Sequence, residues 1–267
     1  MGRLVAVSNR VALPRGGKSA GGLAVGLMAA FKEQGGLWFG WSGSTTPKEP
    51  GETKITTSGR MRFATVDLNE REHEAYYNGF SNNTLWPLFH FLLTFFSYSR
   101  LEYEAYCRVN QFFARRLLAL LEPDDIVWVH DYHLIPLARE LRRAGVRQPI
   151  GFFLHVPFPN FDLLRALPCY DDLLEALTDY DVVGLQTERD LWSFHECLSQ
   201  PQIGGEVLGE GRVRAFGREL YAGAFPIGVD ADQCRALAAD SPDRPQLARM
   251  RSSLGDRKLI IGVDRLD

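Results

Sequence analysis

The stretch Asp125-Ile126-Val127-Trp128-Val129-His130-Asp131-Tyr132-His133 does most to limit the fold, because an apolar run of strand length stops abruptly on polar and ionisable residues. Residues 126–129 are β-branched or aromatic without polar alternation, the pattern of a strand buried on both faces of a parallel sheet. A second run, 150–154, ends the same way on His155, and Val156-Pro157-Phe158-Pro159 then breaks strand and helix alike. A third, 3–7, leaves through Ser8-Asn9-Arg10. Open parallel sheets bind ligands just beyond the carboxyl ends of their strands, where helix N-termini and loops converge. Arg10, His130, Asp131, His133 and His155 therefore stand at the edge where chemistry is expected.

Helical patterns fill the intervals between these runs. Residues 103–121 put Tyr106, Val109, Phe113, Leu117 and Leu121 near helical spacing and close on Glu122-Pro123. Further helices are expected over 23–32, 70–77, 134–144, 162–167, 170–178, 188–198 and 231–239. Strands are expected over 35–42, 181–186, 213–215, 221–226 and 258–267, with a hairpin of 54–57 and 61–68 turning at Ser58-Gly59. The alternation predicts an α/β protein with a largely parallel sheet and right-handed crossovers. Arg139, Glu140, Arg142 and Arg143 read as the solvated face of their helix. A boundary is expected at 226–230. The run 258–267 stops at a polar strand exit, so a second α/β unit is expected to continue beyond it.

Composition narrows the function classes. The 267 residues, 45% hydrophobic and 24% charged, can build a core without staples. The four cysteines are far apart, without a C-x-x-C pair, which suggests neither a zinc site nor a disulfide framework and fits a reducing cytoplasm. A net charge of -3 argues against nucleic acid. Residues 85–96, the most apolar stretch, are too short for a bilayer span and hold Pro87 and His90, so they read as a packed helix and no membrane partner is expected. The chain opens on a strand rather than a secretory signal.

Ser19-Ala20-Gly21-Gly22 precedes a helical pattern, an arrangement that lets backbone amides approach a phosphate. It lacks the G-x-G-x-x-G spacing of a dinucleotide fingerprint, which counts against a nicotinamide dehydrogenase. Tyr76-Tyr77-Asn78-Gly79-Phe80-Ser81-Asn82 and Leu85-Trp86-Pro87 set aromatic rings among amides in what reads as irregular backbone, suited to a sugar's C–H face and hydroxyls. The plainer alternative makes Phe80 and Trp86 core anchors. Arg10 and Arg265, each at a strand exit, are natural anion grips. No metal set or G-x-S-x-G elbow is evident. The residues thus point to an anionic, polyhydroxylated ligand.

Taken in order, several stretches resemble the trehalose-6-phosphate synthases, retaining glycosyltransferases of the GT-B type. They are Val7-Ser8-Asn9-Arg10, Ser19-Ala20-Gly21-Gly22-Leu23, Trp38-Phe39-Gly40-Trp41, the Tyr76 to Asn82 segment, Leu85-Trp86-Pro87, residues 128–134, 151–159 and 181–188, Pro226-Ile227-Gly228 and Val263-Asp264-Arg265-Leu266-Asp267. The resemblance implies an amino-terminal, acceptor-side Rossmann-like domain over 1–228 and the beginning of a nucleotide-sugar domain over 229–267. It implies transfer of glucose from a nucleotide sugar, commonly UDP-glucose, to glucose 6-phosphate, giving trehalose 6-phosphate with configuration retained. Arg10 would hold the acceptor phosphate, while Trp41, Tyr77, Trp86 and Asp131 would line or position the acceptor sugar. Gly21, Gly22 and Arg265 would meet the donor diphosphate. His155, with Trp86, would fix the donor glucose.

Asp131, His155 and Trp86 are then the residues nearest the chemistry, in which the departing diphosphate takes the acceptor proton. No metal or cofactor is expected. The family continues past Asp267 with further diphosphate and ribose contacts, so these 267 residues alone are expected to keep part of the acceptor pocket without transferring glucose. The nucleotide base and the oligomeric state, a homo-oligomer included, stay open. The competing readings are a related transferase using glycerol 3-phosphate, a pseudo-glycosyltransferase joining cyclitols, and a noncatalytic sugar-phosphate-binding module.

Overall fold

The computed structural model describes residues 2–13, 27, 31, 35–229, 231–239, 245–255, 257–260 and 262. They form two compact units divided between Pro226 and Ile227. The first unit is built on a ten-stranded sheet. Its strands are β1 (Leu4–Arg10), β2 (Gly36–Thr46), β3 (Lys54–Ser58), β4 (Met61–Asn69), β5 (Ile126–His130), β6 (Ile150–Phe153), β7 (Val182–Leu185), β8 (Glu206–Gly209), β9 (Arg212–Ala215) and β10 (Arg218–Ala224), in spatial order β3-β4-β2-β1-β5-β6-β7-β10-β9-β8. From β4 across to β10 the pairing is parallel, and β3, β9 and β8 join antiparallel at the edges.

Both faces of the sheet are covered, which is why its central strands lack polar alternation. Val5, Val7, Leu37 and Phe39 pack on one face with Phe113 and Leu117, while Ala6 and Trp38 pack on the other with Leu27, Phe31 and Phe63. Ile126, at the entry of β5, is the exposed exception in its strand.

The strand order fixes where a ligand can sit. From β1 the chain moves outward to β2 and β4, then returns to lay β5 against the other side of β1. The order reverses between β1 and β5, and that switch point is where open α/β sheets leave a crevice at their carboxyl ends. The register, with Val7 opposite Val129 and His130 opposite Phe153, brings Arg10, His130, Asp131 and His155 to this one edge.

The helices are α1 (Glu70–His73), α2 (Trp86–Phe89), α3 (Arg100–Leu118), α4 (Leu137–Arg143), α5 (Phe161–Leu164), α6 (Tyr170–Leu177) and α7 (Glu188–Leu198) in the first unit, and α8 (Ala231–Ala239) and α9 (Pro245–Leu254) in the second. Asn69 caps α1, Asn160 caps α5 and Thr187 caps α7, each by accepting a backbone N–H of the first turn.

Several expectations need correction. The Tyr76 to Asn82 segment is not irregular: α1 runs into a π-helix, Glu74–Leu85, that continues as α2. Its buried Tyr76, Phe80 and Leu85 are four and five residues apart, and the wider i→i+5 turn keeps all three on the core side, with Tyr76 and Phe80 against Tyr106 of α3. Residues 85–96 are not one packed helix either. Leu92 N–H bonds the Pro87 carbonyl at 2.8 Å and Phe91 N–H bonds the Leu88 carbonyl at 3.2 Å, closing α2 with Phe91 at φ 62° in the position that glycine usually fills. Phe91, Leu92, Leu93 and Phe95 are left exposed.

The helix expected over 134–144 begins only at Leu137, after a 3-10 turn, Tyr132–Leu134. Only Arg143, 66% exposed, keeps to the solvated face expected of its arginines. The side chains of Arg139 and Arg142 are 15% and 17% exposed and pair with Asp172, Glu175 and Asp179, and with Asp181. Arg142 also donates to the carbonyls of Val146, Gln148 and Asp179, closing the turn that leads to β6. The antiparallel strand β8 was absent from the expected elements. The strand expected over 258–267 is not formed by residues 258–260, where Ile260 is 96% exposed and no described strand pairs with it. Most of the helix expected over 23–32 lies outside the described residues.

Candidate active site

Three strand exits and the π-helix build the site. β1 ends with its polar groups pinned: Trp38 Nε1 donates to Ser8 Oγ at 2.8 Å, Ser8 Oγ donates to the Arg10 carbonyl at 2.9 Å, and Tyr76 Oη donates to Asn9 Oδ1 at 2.9 Å. Arg10 is exposed, and its guanidinium lies 5.7 Å from the centre of the Trp41 ring. It lies across Gly43, whose φ is 88° and where a side chain's Cβ would come within 2.8 Å of the guanidinium. The glycine is thus what lets the arginine lie down.

From Arg10 a series of rings runs inward. Trp41, fixed by Nε1 donating to the Ser44 carbonyl at 2.7 Å, lies 4.5 Å from His73 between ring centres. His73 stacks on Tyr77 at 5.3 Å, Tyr77 on His133 at 5.6 Å, and His133 on Tyr132 at 4.0 Å. α1 and the π-helix supply the middle of this series, because His73 and Tyr77, four residues apart, fall on one helix face. The result is an aromatic wall with a cation at its open end.

The exits of β5 and β6 close the inner end. Asp131 turns the chain at φ 77° and ψ 163°, a region that is essentially glycine's own, costs another residue about 1–3 kcal/mol and recurs at functional sites. Its N–H bonds the Phe153 carbonyl at 2.8 Å, its carbonyl accepts Leu134 N–H at 3.0 Å, and its carboxylate accepts His155 N–H at 3.2 Å. Burial raises the Asp131 carboxyl to about 6, against the two backbone donors that favour its ionised form. Burial acts the other way on the histidines. His130 and His133 are pushed down to about 3 and His155 to about 4, so all three are neutral near pH 7. His130 Nδ1 lies 3.0 Å from His155 Nε2.

Arg10, Trp41 and Tyr77 therefore belong to one wall, and Asp131 and His155 to one bonded pair. Trp86 stands apart at the start of α2, half-buried, with its ring stacked on His90 at 4.2 Å. Phe80 is a core anchor, fully buried among Tyr103 and Tyr106. Gly21, Gly22 and Arg265 lie outside the described residues. Sequence reasoning missed His73, whose place four residues before Tyr77 was the only signal, and gave no role to Asn9 or Asn82, which accept hydrogen bonds from Tyr76 and Tyr132. Among the described residues no three metal-ligating side chains converge. Chemically, the site offers the guanidinium fork of Arg10 for an anion, rings for a pyranose face, neutral imidazoles and a carboxylate able to accept from a hydroxyl.

The sequence model of glycosyltransferase family 20 matches residues 12–267. Trehalose-6-phosphate synthase of Klebsiella pneumoniae is 47% identical over 268 residues, covering 100% of this chain and 56% of that protein. A crystal structure of an α,α-trehalose-phosphate synthase (UDP-forming) from Burkholderia vietnamiensis superposes with a TM-score of 0.94 at 46% identity, over 100% of this chain and 57% of that one. The Burkholderia xenovorans enzyme of the same description, in complex with glucose-6-phosphate, gives a TM-score of 0.91 at 46% identity, over 100% of this chain and 58% of that one. The chain thus spans a little over half the length of the relatives it matches.

Proposed function

Because the chain belongs to glycosyltransferase family 20, we propose that the whole protein transfers glucose from a nucleotide sugar, UDP-glucose, to glucose 6-phosphate and so makes trehalose 6-phosphate. The observation that carries this reading is the wall from Arg10 through Trp41, His73 and Tyr77 to His133, a cation at the open end and a carboxylate at the inner end. A phosphate on the guanidinium leaves the attached pyranose along the rings, with its far hydroxyls toward Asp131. A three-carbon acceptor would leave that wall uncovered.

In this reading Arg10 binds the acceptor phosphate through its planar fork. Trp41 and Tyr77 flank the sugar, Trp86 approaches it from α2, and Asp131 orients a hydroxyl. His155 meets the donor glucose together with Trp86, while Gly21, Gly22 and Arg265 serve the donor diphosphate. The bond from the donor's anomeric carbon to the diphosphate breaks as the bond to the acceptor's anomeric oxygen forms on the same face, and the acceptor's proton passes to the departing diphosphate. Configuration is retained without a protein nucleophile. The protein's share is orientation and stabilisation of leaving-group charge, and this scheme uses no metal or cofactor. Residues 1–228 form the acceptor-side domain and 229–267 begin the nucleotide-sugar domain of a cytoplasmic enzyme.

The test is transfer by the whole protein. UDP-glucose and glucose 6-phosphate should yield UDP and trehalose 6-phosphate with α configuration at both anomeric centres by NMR. Binding of both substrates without product would favour a noncatalytic module instead, and turnover with glycerol 3-phosphate alone would make the protein a different transferase.

A further inference from the structure

His130 ends β5 only 1% exposed, and it faces His155 rather than the crevice. Two neutral imidazoles with nitrogens 3.0 Å apart share one proton, so the tautomer of one ring fixes that of the other. If His130 donates from Nδ1, its Nε2 is a bare lone pair and His155 carries its own proton on Nδ1. If His155 donates from Nε2, His130 must carry its proton on Nε2, an atom that is buried without a hydrogen-bond partner. An orphaned buried N–H is the rarer and costlier state. The Trp128 ring, 4.4 Å away and tilted by 55°, is a weak acceptor by comparison. Burial keeps both rings neutral near pH 7, so the shared proton is not doubled by protonation.

We propose that His130 is a positioning residue that holds His155 as its Nδ1–H tautomer, so that half-buried His155 presents a donor, not a lone pair, to an oxygen of the nucleotide sugar. Use of that N–H toward the sugar rests on the function proposed above; the tautomer itself does not. The main chain of His155 is held from the same strand exit, because Asp131 accepts its N–H at 3.2 Å. β5 thereby sets both the place of His155 and the polarity of its outer edge. An N–H there attracts a hydroxyl or phosphate oxygen, whereas a lone pair would repel a diphosphate.

The experiment reads the tautomer directly, by long-range proton–nitrogen correlation in the 15N-histidine-labelled 267-residue chain at pH 7.5. His155 is assigned by the signal lost in His155→Gln, and folding of each variant is checked by its amide spectrum. The wild type should carry the His155 proton on Nδ1. His130→Met puts a sulfur, which can accept but not donate, where Nδ1 stands, and should move that proton to Nε2. His130→Asn, which can turn its amide nitrogen to the same place, should restore it to Nδ1. A wild-type proton on Nε2, or a tautomer unchanged in His130→Met, overturns the proposal. In the whole protein, the flipped tautomer should weaken UDP-glucose binding about tenfold, the loss of one hydrogen bond. Unchanged affinity with a flipped tautomer would overturn the use of His155 toward the donor while leaving its control by His130 in place.

Discussion

At Asp131 the backbone turns through φ 77° and the carboxyl is raised by burial to about 6, so one residue carries both conformational strain and a desolvated charge. Its folded pKa lies above the ordinary 3.8, so ionisation weakens the folded state, and the full penalty is felt above about pH 6. Asparagine has nearly the shape of aspartate, so it leaves the strained backbone as it is, and it carries no charge. Asp131→Asn should therefore raise the thermal midpoint at pH 8, with the gain vanishing below pH 4, and should weaken the acceptor site.

The buried histidines work in the opposite direction. Their folded values of about 3 to 4 lie below the ordinary 6.5, so the unfolded chain takes up protons first and stability falls as pH drops below about 6.5. Three histidines outweigh one aspartate, and the thermal midpoint should fall between pH 7 and pH 5. In His133→Phe, which keeps a ring between Tyr77 and Tyr132, the fall should be shallower by up to about 1.4 kcal/mol per pH unit. Arg10, Asp131 and His155 were legible as strand-exit residues. His73 was not, because its partners Trp41 and Tyr77 come from β2 and the π-helix, and only the fold makes them neighbours.

Among the elements, the central strands were the easiest to foresee, since burial on both faces removes every polar position from residues such as Val5 to Val7 and Val127 to Val129. The π-helix escaped because Tyr76, Phe80 and Leu85 follow steps of four and five, which a search for a 3.6-residue period reads as broken. The end of α2 escaped because a phenylalanine stands where the closing turn needs positive φ, and no glycine marks it. That site makes its own prediction. Phe91 is 44% exposed and strained at φ 62°, so Phe91→Gly should leave the fold intact and stabilise it by about 1 kcal/mol in a denaturant titration. A loss of 1 kcal/mol or more would mean that the ring contributes packing that outweighs the strain.

For the molecule as a whole, strand order sets the place of the site: the order reverses between β1 and β5, and the polar exits of those strands adjoin at that switch point, where open α/β sheets bind ligands. Strand order cannot be read from separate apolar runs, so the sequence could name the residues at the exits but not which exits adjoin. Resemblance to the trehalose-6-phosphate synthases supplied that arrangement in advance, and the register of β1 with β5 and of β5 with β6 supports it from geometry alone. The central claim is that this site receives a phosphorylated hexose with its phosphate on Arg10. Calorimetric titration of the 267-residue chain with glucose 6-phosphate, in parallel with glycerol 3-phosphate and with the Arg10→Ala variant, tests it most directly. Saturable binding of glucose 6-phosphate, weakened at least tenfold by Arg10→Ala as expected for a charge-assisted hydrogen bond of about 1.5–3 kcal/mol, is the predicted result. Binding unaffected by that substitution, or a preference for glycerol 3-phosphate, would contradict it.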